Sequence, residues 1–301
     1  MRVLTALVLE VAALPAAAVQ ADPPQRADRP AGEIAAYWTK ERMRAAVPRD
    51  AVRGGEPRPA AGKPGGGGGS SSWTSLAVTP IPYAGADLAN GKVFLTIEGV
   101  NYVCSGTSVA ATAGVNLVWT AGHCLNEGPG DYATNFMFAP GYLDGATPYG
   151  KWSFTALLTT PRWRTNGDFD YDLGAARVVP GDGAPPSGTL ADIALPRPMA
   201  FNYPVAVNST RMKSYGYPAA GKFNGQRLWL CDSTVSRRDG SGAGDPMGIG
   251  CDMTPGSSGG GWMNASGAVA SVNSYFYRQI KNVMHGPYQG TAAQALYESM
   301  D

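Results

Sequence analysis

Cys251-Asp252-Met253-Thr254-Pro255-Gly256-Ser257-Ser258-Gly259-Gly260-Gly261 is the stretch on which the reading of this chain turns. Residues this small around one serine leave little side chain to bury. The segment makes physical sense as a turn that exposes a hydroxyl and frees backbone N–H groups, which marks Ser258 as a candidate nucleophile. On its own, Gly-x-Ser-x-Gly is equally well an ordinary glycine-rich loop. The rest of the chain has to supply what a nucleophilic serine needs.

The first need is a base, and histidine is the side chain whose pKa suits proton abstraction near neutrality. The chain has two. His123 stands in Thr120-Ala121-Gly122-His123-Cys124, directly after the apolar run Asn116 to Thr120 and beside a cysteine. His285, in Val283-Met284-His285-Gly286-Pro287, sits in a turn and reads as a surface or hydrogen-bonded structural residue. The second need is an acceptor that fixes the imidazole tautomer. Asp168-Phe169-Asp170-Tyr171-Asp172-Leu173 offers three carboxylates; Asp172 abuts an apolar run and is the best placed, whereas Asp168 and Asp170 read as solvated turn residues.

Composition sets the frame. With 301 residues, 44% hydrophobic and 16% charged, the chain can bury a large core, and its 40 Gly and 24 Pro suggest many turns between short elements. One all-β domain or two small ones follows. A net charge of +1 gives no general electrostatic attraction to nucleic acid or to an anionic membrane. Met1-Arg2 followed by the apolar run Val3 to Ala18 reads as a secretory signal peptide over 1–21. No other apolar run reaches the roughly 18 residues that a membrane span needs.

Four cysteines in an exported chain are expected to pair, and three pairings are possible. The local one, Cys104 with Cys124 and Cys231 with Cys251, is preferred because each bridge closes a loop of about twenty residues, worth on the order of 3 kcal/mol. A metal site is a poor alternative, since no Cys-x-x-Cys spacing occurs and histidines are scarce.

Residues 22–74 are rich in Pro, Arg, Ala and Gly and end in the run Gly65 to Gly69, so a flexible pro-segment or linker is expected there. Within it, Gly32 to Val47 carries Ile34, Tyr37, Trp38, Met43, Ala46 and Val47 at a loose helical period that Pro48 stops. That island is either an element that docks on the downstream domain or a nascent helix. From 75 on the texture is β, with strands expected at Lys92 to Ile97, Asn101 to Cys104, Asn116 to Thr120, Lys151 to Leu158, Leu173 to Val179, Arg211 to Tyr217, Gln226 to Ser233 and Ala268 to Tyr277. Pro180 to Pro198 reads as a crossover between two halves. Thr291 is a plausible N-cap for a final helix.

In the order His, Asp, Ser, the segments Thr120-Ala121-Gly122-His123-Cys124, Tyr171-Asp172-Leu173 and Gly256-Ser257-Ser258-Gly259-Gly260 resemble the three catalytic motifs of chymotrypsin-fold serine peptidases. Cys104, ahead of the His motif, matches that family's disulfide next to the histidine. Within the fold the chain is similar to the bacterial glutamyl-endopeptidase-like secreted branch, through Phe138 to Gly145, Ser214 to Pro218 and Asp252-Met253-Thr254. The resemblance implies two six-stranded antiparallel β-barrels (75–182 and 183–301) and a short C-terminal helix. It also implies a secreted, monomeric endopeptidase acting on protein or peptide through an acyl-enzyme without a cofactor. Catalysis would rest on His123, Asp172 and Ser258, with the amides of Gly256 and Ser258 as oxyanion hole. Chain order excludes an α/β-hydrolase, in which Ser precedes the acid and the acid precedes His.

Two departures from the family matter. Ser257 stands where family members place an Asp that receives a freed N-terminus, so that activation route has no carboxylate here. Asp252 lies at the offset of the trypsin-like basic-residue selector. Asn273, in Asn273-Ser274-Tyr275, replaces the His on which glutamate selection leans. The glutamyl-type branch also carries an Asp in its corresponding Asp-x-Thr stretch, where it is not a basic-residue selector. Thr254 and Asn273 are expected to line the specificity pocket, with Ser274, Tyr275 and Asp252 as further substrate-binding candidates. The competing readings are a catalytically inactive peptidase-like binding protein and an exported structural protein with an incidental glycine-rich turn.

Overall fold

The structure is a computed structural model that describes residues 23–49, 51, 53, 73–181, 189–239 and 244–301. The expected signal peptide and the run Gly65 to Gly69 lie outside the described residues, as does part of the expected crossover.

Within the segment expected to be flexible, the island from Gly32 to Val47 takes the docked form of its two expected readings, and the first half of the segment is built onto the body of the protein. Strand β1 (Gln25–Arg26) is followed by helices α1 (Ala31–Tyr37) and α2 (Lys40–Ala45), strand β2 (Val47–Pro48) and, past residue 72, β3 (Leu76–Ala77). Average composition misled because the few apolar residues share one face: Ile34, Ala35, Trp38 and Met43 are all buried. The Trp38 ring lies 5.4 Å from that of Phe94, and its indole N–H donates to the Asn135 carbonyl at 2.6 Å. Burying one tryptophan contributes on the order of 5 kcal/mol before ordering costs. Thr39 caps α2 by accepting from the Arg42 amide.

Six strands close the first barrel: β4 (Asn90–Ile97), β5 (Val100–Val109), β6 (Leu117–Thr120), β7 (Thr134–Pro140), β8 (Trp152–Thr159) and β9 (Gly174–Pro180). They pair antiparallel in the order β8-β7-β4-β5-β6-β9, and β9 returns to β8. Every residue of β4 is buried. β1 adds to β8, and β2 runs parallel to β5.

The second barrel uses β10 (Arg211–Gly216), β11 (Trp229–Arg238), β12 (Met247–Gly250), β13 (Gly261–Met263), β14 (Val269–Val272) and β15 (Val283–Gly286), in the order β14-β13-β10-β11-β12-β15. Its seam is a half-closed one. Past the end of β14, a single antiparallel bridge joins Tyr275 to His285 of β15. Helix α3 (Pro161–Asn166) lies between β8 and β9, and α4 (Thr291–Met300) buries Ala293, Leu296 and Met300 at the C-terminus. Gly290, not Thr291, occupies the N-cap of α4, and no side chain caps that helix. The Arg177 guanidinium on β9 donates to the carbonyls of Met300 and Asp301 at 2.8 and 3.0 Å, tying the helix end to the first barrel. Both disulfides are local, Cys104–Cys124 and Cys231–Cys251. Among the described residues no helix is long and apolar enough to cross a membrane.

Candidate active site

The turn from β12 to β13 projects Ser258 between the barrels. Gly256 has φ +98°, and a Cβ there would lie 2.9 Å from both the Ala219 Cβ and the Tyr217 carbonyl oxygen. Only glycine can therefore aim this amide as it is aimed. The turn is braced from within by Ser257 Oγ on the Thr254 carbonyl (2.9 Å) and by the Gly260 amide on the Ser257 carbonyl (3.0 Å). From the first barrel, Ser105 of β5 donates its amide to the Ser258 carbonyl (2.7 Å) and its hydroxyl to the Gly256 carbonyl (2.9 Å). The hydroxyl of Ser257, where the family's acid would stand, is thus already committed. Gly256→Ala is expected to cut turnover about 10²- to 10³-fold with a smaller change in KM, the cost that follows where this amide serves as an oxyanion donor; steady-state kinetics on a peptide substrate checks it.

His123 follows β6 in a single helical turn held on Asp172. Its backbone N–H donates to Asp172 Oδ1 and its Nδ1 meets Asp172 Oδ2, both at 2.7 Å. Ser274 donates its hydroxyl to the same Oδ2. Asp172 is fully buried, yet each of its oxygens is satisfied, so its position is fixed. His123 Nε2 has no hydrogen-bond partner. The nucleophile turn is adjacent: the Ser258 carbonyl lies 3.6 Å from Cys124 Sγ, next along the chain from the histidine. Nucleophile–base hydrogen bonds that are open at rest commonly close in the substrate complex.

The expected specificity residues separate in the structure. Asn273 is fully buried. Its amide nitrogen donates to the Tyr215 and Ser257 carbonyls (2.9 and 3.0 Å) and its oxygen accepts from Ser214 Oγ and Trp262 Nε1 (2.6 and 2.7 Å). It is therefore corrected from pocket wall to a strut beneath Ser257. Asp252 accepts from the Ser75 amide (2.8 Å) and pairs with Lys222 (2.6 Å), so the chain's own cation already offsets its charge. Burial alone would raise this carboxyl, but the bonds from Lys222 and Ser75 outweigh it and hold its pKa below the usual range. Thr254 and Ser274 do border a cavity beside Ser258, with Pro255, Phe276 and Met284. The Tyr275 ring is buried, stacked on His285 at 5.1 Å. Asp170 also departs from expectation: it is buried and ion-paired with Arg53 at 2.8 Å.

Residues of the N-terminal segment lie across this site, which the sequence reading missed. The Gly256 amide donates to the Arg49 carbonyl at 3.3 Å. Arg49 is anchored by its amide to the Val103 carbonyl (2.9 Å), by Nε to the His123 carbonyl (3.1 Å) and by an ion pair with Glu127. Ala51 lines the cavity beside Ser258, whose volume is about 10 Å³. Phe276 donates its amide to the Ala51 carbonyl (3.4 Å) and accepts from the Arg53 amide (3.3 Å), the pattern of a parallel ladder.

His285 sits against the far side of Tyr275, fully buried, and neither ring nitrogen has a partner. Burial lowers its pKa from 6.5 to about 4. Between those values the unfolded chain binds the proton and the folded one does not. This histidine therefore stabilises the fold above about pH 6.5, and the contribution, about 3 kcal/mol, is lost as pH falls toward and through 4. Thermal melting of His285→Phe should depend less steeply on pH across that window than wild type; equal slopes would refute the assignment.

Cys104, His123 and Cys124 form a cluster of potential metal ligands. They do not suit an ion, because both sulfurs are spent in one disulfide and the Nδ1 of the histidine is held by Asp172.

No family model matches the chain. Among curated proteins it is 34% identical over 77 residues to an extracellular metalloprotease of Bacillus subtilis (strain 168); the match covers 26% of this chain and 23% of that protein, so the chain spans less than a quarter of its relative. Solved structures match over most of their length. The protease Anisep from Arthrobacter nicotinovorans is 42% identical, with 75% of this chain and 99% of that chain covered and a TM-score of 0.64. The thermostable serine protease AL20 from an extremophilic microorganism is 38% identical, with 70% and 95% covered and a TM-score of 0.61. A Glu endopeptidase in complex with MPD, 19% identical with 75% and 94% covered and a TM-score of 0.56, shares the fold.

Proposed function

We infer from one premise, that this chain belongs to the chymotrypsin-fold serine proteases, that it is an exported endopeptidase whose chemistry is carried by Ser258, His123 and Asp172. His123 Nε2 takes the proton of Ser258 Oγ as the oxygen attacks the scissile carbonyl. Asp172 keeps the other ring nitrogen protonated and stabilises the imidazolium. The amides of Gly256 and Ser258 receive the oxyanion. His123 returns its proton to the leaving amine, and water then repeats the sequence on the acyl-enzyme.

The observation that carries this reading is the double hold of Asp172 on the histidine's backbone and ring, beside a turn whose Gly256 amide already grips a carbonyl. Export is supported by the apolar start of the chain and by two disulfides. An organophosphonate probe offered to the chain freed of residues 23–53 should label Ser258 alone, one probe per chain; no label at Ser258 in folded protein refutes the reading.

The described state is closed to substrate. A leaving amine must reach His123, which lies on the β5 side, so the acyl half of a substrate lies along Ser274 to Phe276. The segment runs the other way, from β5 at Val47 and Pro48 to Phe276 at Arg53. It presents the Arg49 carbonyl to Gly256 but puts the amine of that peptide bond away from the imidazole. Such a peptide blocks the site without being cut.

A further inference from the structure

We propose that the acyl-side end of the cleft holds a subsite for a basic side chain, walled by Asp170, Asp239 and Tyr275. The chain's own Arg53 fills it in the closed state, and an arginine of the substrate fills it once the segment has left, a role that rests on the peptidase reading above. Arg53 Nη1 donates to Asp170 Oδ1 at 2.8 Å and to Tyr275 Oη at 3.0 Å, and lies 3.4 Å from Asp239 Oδ2. The guanidinium also sits 5.2 Å from the centre of the Tyr275 ring. Both carboxylates are buried, at 6% and 0% side-chain exposure for Asp170 and Asp239.

Asp239 is the base of the site. Its Oδ2 accepts from the hydroxyls of Tyr275 and Tyr277, whereas its buried Oδ1 has no partner. Arg53 sets its positive charge beside two buried carboxylates, and removing it takes a favourable pairing from that end of the cleft. A cationic side chain restores that pairing. A guanidinium, weakly hydrated and lying over the Tyr275 ring, fits better than a compact ammonium, so arginine should be preferred to lysine. The segment supplies the ruler. Arg49 meets the oxyanion amide and Arg53 reaches the subsite with its backbone on Phe276, which places the residue read within about four positions of the bond cut.

The test uses full chain folded and then cut within 54–72, with the segment removed. Peptides carry Arg, Lys, Leu or Glu in turn at the second, third and fourth positions before a fixed scissile bond. At one of these positions kcat/KM for Arg should exceed that for Leu about tenfold or more, with Glu below Leu. Asp239→Asn and Asp170→Asn should each bring the Arg-to-Leu ratio close to one. The ratio cancels any general loss of turnover; should Asp239→Asn fail to fold because two tyrosines lose their acceptor, Asp170→Asn decides alone. A wild-type ratio near one at every position, or a ratio that survives both substitutions, overturns the subsite. Cleavage of no peptide together with no phosphonate label overturns the peptidase reading instead. In the intact chain, Arg53→Leu should speed phosphonate labelling several-fold, and unchanged labelling overturns Arg53 as the resident cation.

Discussion

Ser258→Ala is expected to yield a folded chain, disulfides intact, whose peptidase turnover falls on the order of 10⁶-fold. So large a loss follows because nucleophile and base act as a unit: without the hydroxyl, the imidazole held on Asp172 has nothing to deprotonate. What remains is binding and the oxyanion donors. The fold should hardly notice. The turn is braced through the Ser258 carbonyl and the Ser257 hydroxyl, and Ser258 is 6% exposed with its Oγ in none of those bonds. Melting should therefore move by no more than about 1 kcal/mol. Turnover within tenfold of wild type, in protein with an unchanged melting curve, would sink the assignment of Ser258.

The parts of the site that were legible in the sequence are those specified by local residue type. Gly256 had to be glycine for its turn, Asp172 was the one acid of its loop pressed against an apolar strand, and Cys104 and Cys124 bracketed the histidine at a spacing that closes a modest loop. β4, β5, β6, β8, β9 and β10 could be expected from β-branched and aromatic runs. β12, written Met247-Gly248-Ile249-Gly250, and β13, opening on Gly261, could not, because glycine erases the alternation by which a strand is recognised. Asn273 was misplaced for a different reason. Its four hydrogen bonds go to residues brought near only by the barrel, and a polar side chain reads the same whether it faces a substrate or braces a turn.

Long-range contacts account for the rest. Arg53 and Asp239 stand 186 positions apart, and nothing near either one announces the other. Composition was equally uninformative about residues 23–49, where Ile34, Trp38 and Met43 are diluted among Pro, Arg and Ala, and only their loose helical period marked 32–47 as an element that could dock. A short run of apolar side chains on one face suffices to dock when the surface that receives it is already built, which no window average detects.

Cutting the chain within 54–72 and removing residues 23–53 should raise peptidase activity at least about 100-fold over the intact chain. Two blocks are lifted together. The Gly256 amide, now spent on the Arg49 carbonyl, becomes available to an oxyanion, and the cavity beside Ser258 loses Ala51. A tether keeps the blocking segment at an effective concentration in the millimolar range, so even modest affinity holds the intact chain closed. Affinity here is not modest, given the burial of Trp38 against Phe94 and the pairing of β1 with β8. The same contacts carry a cost on release, since the first barrel loses the cover over Phe94 and one edge of β8 becomes free. Activity should rise while the melting temperature falls by several degrees, and the separated segment added back should reverse both changes. An intact chain as active as the cut one would show that residues 49–53 leave the cleft unaided; a cut chain that stays inactive and also takes no phosphonate at Ser258 would place the block in the catalytic machinery itself.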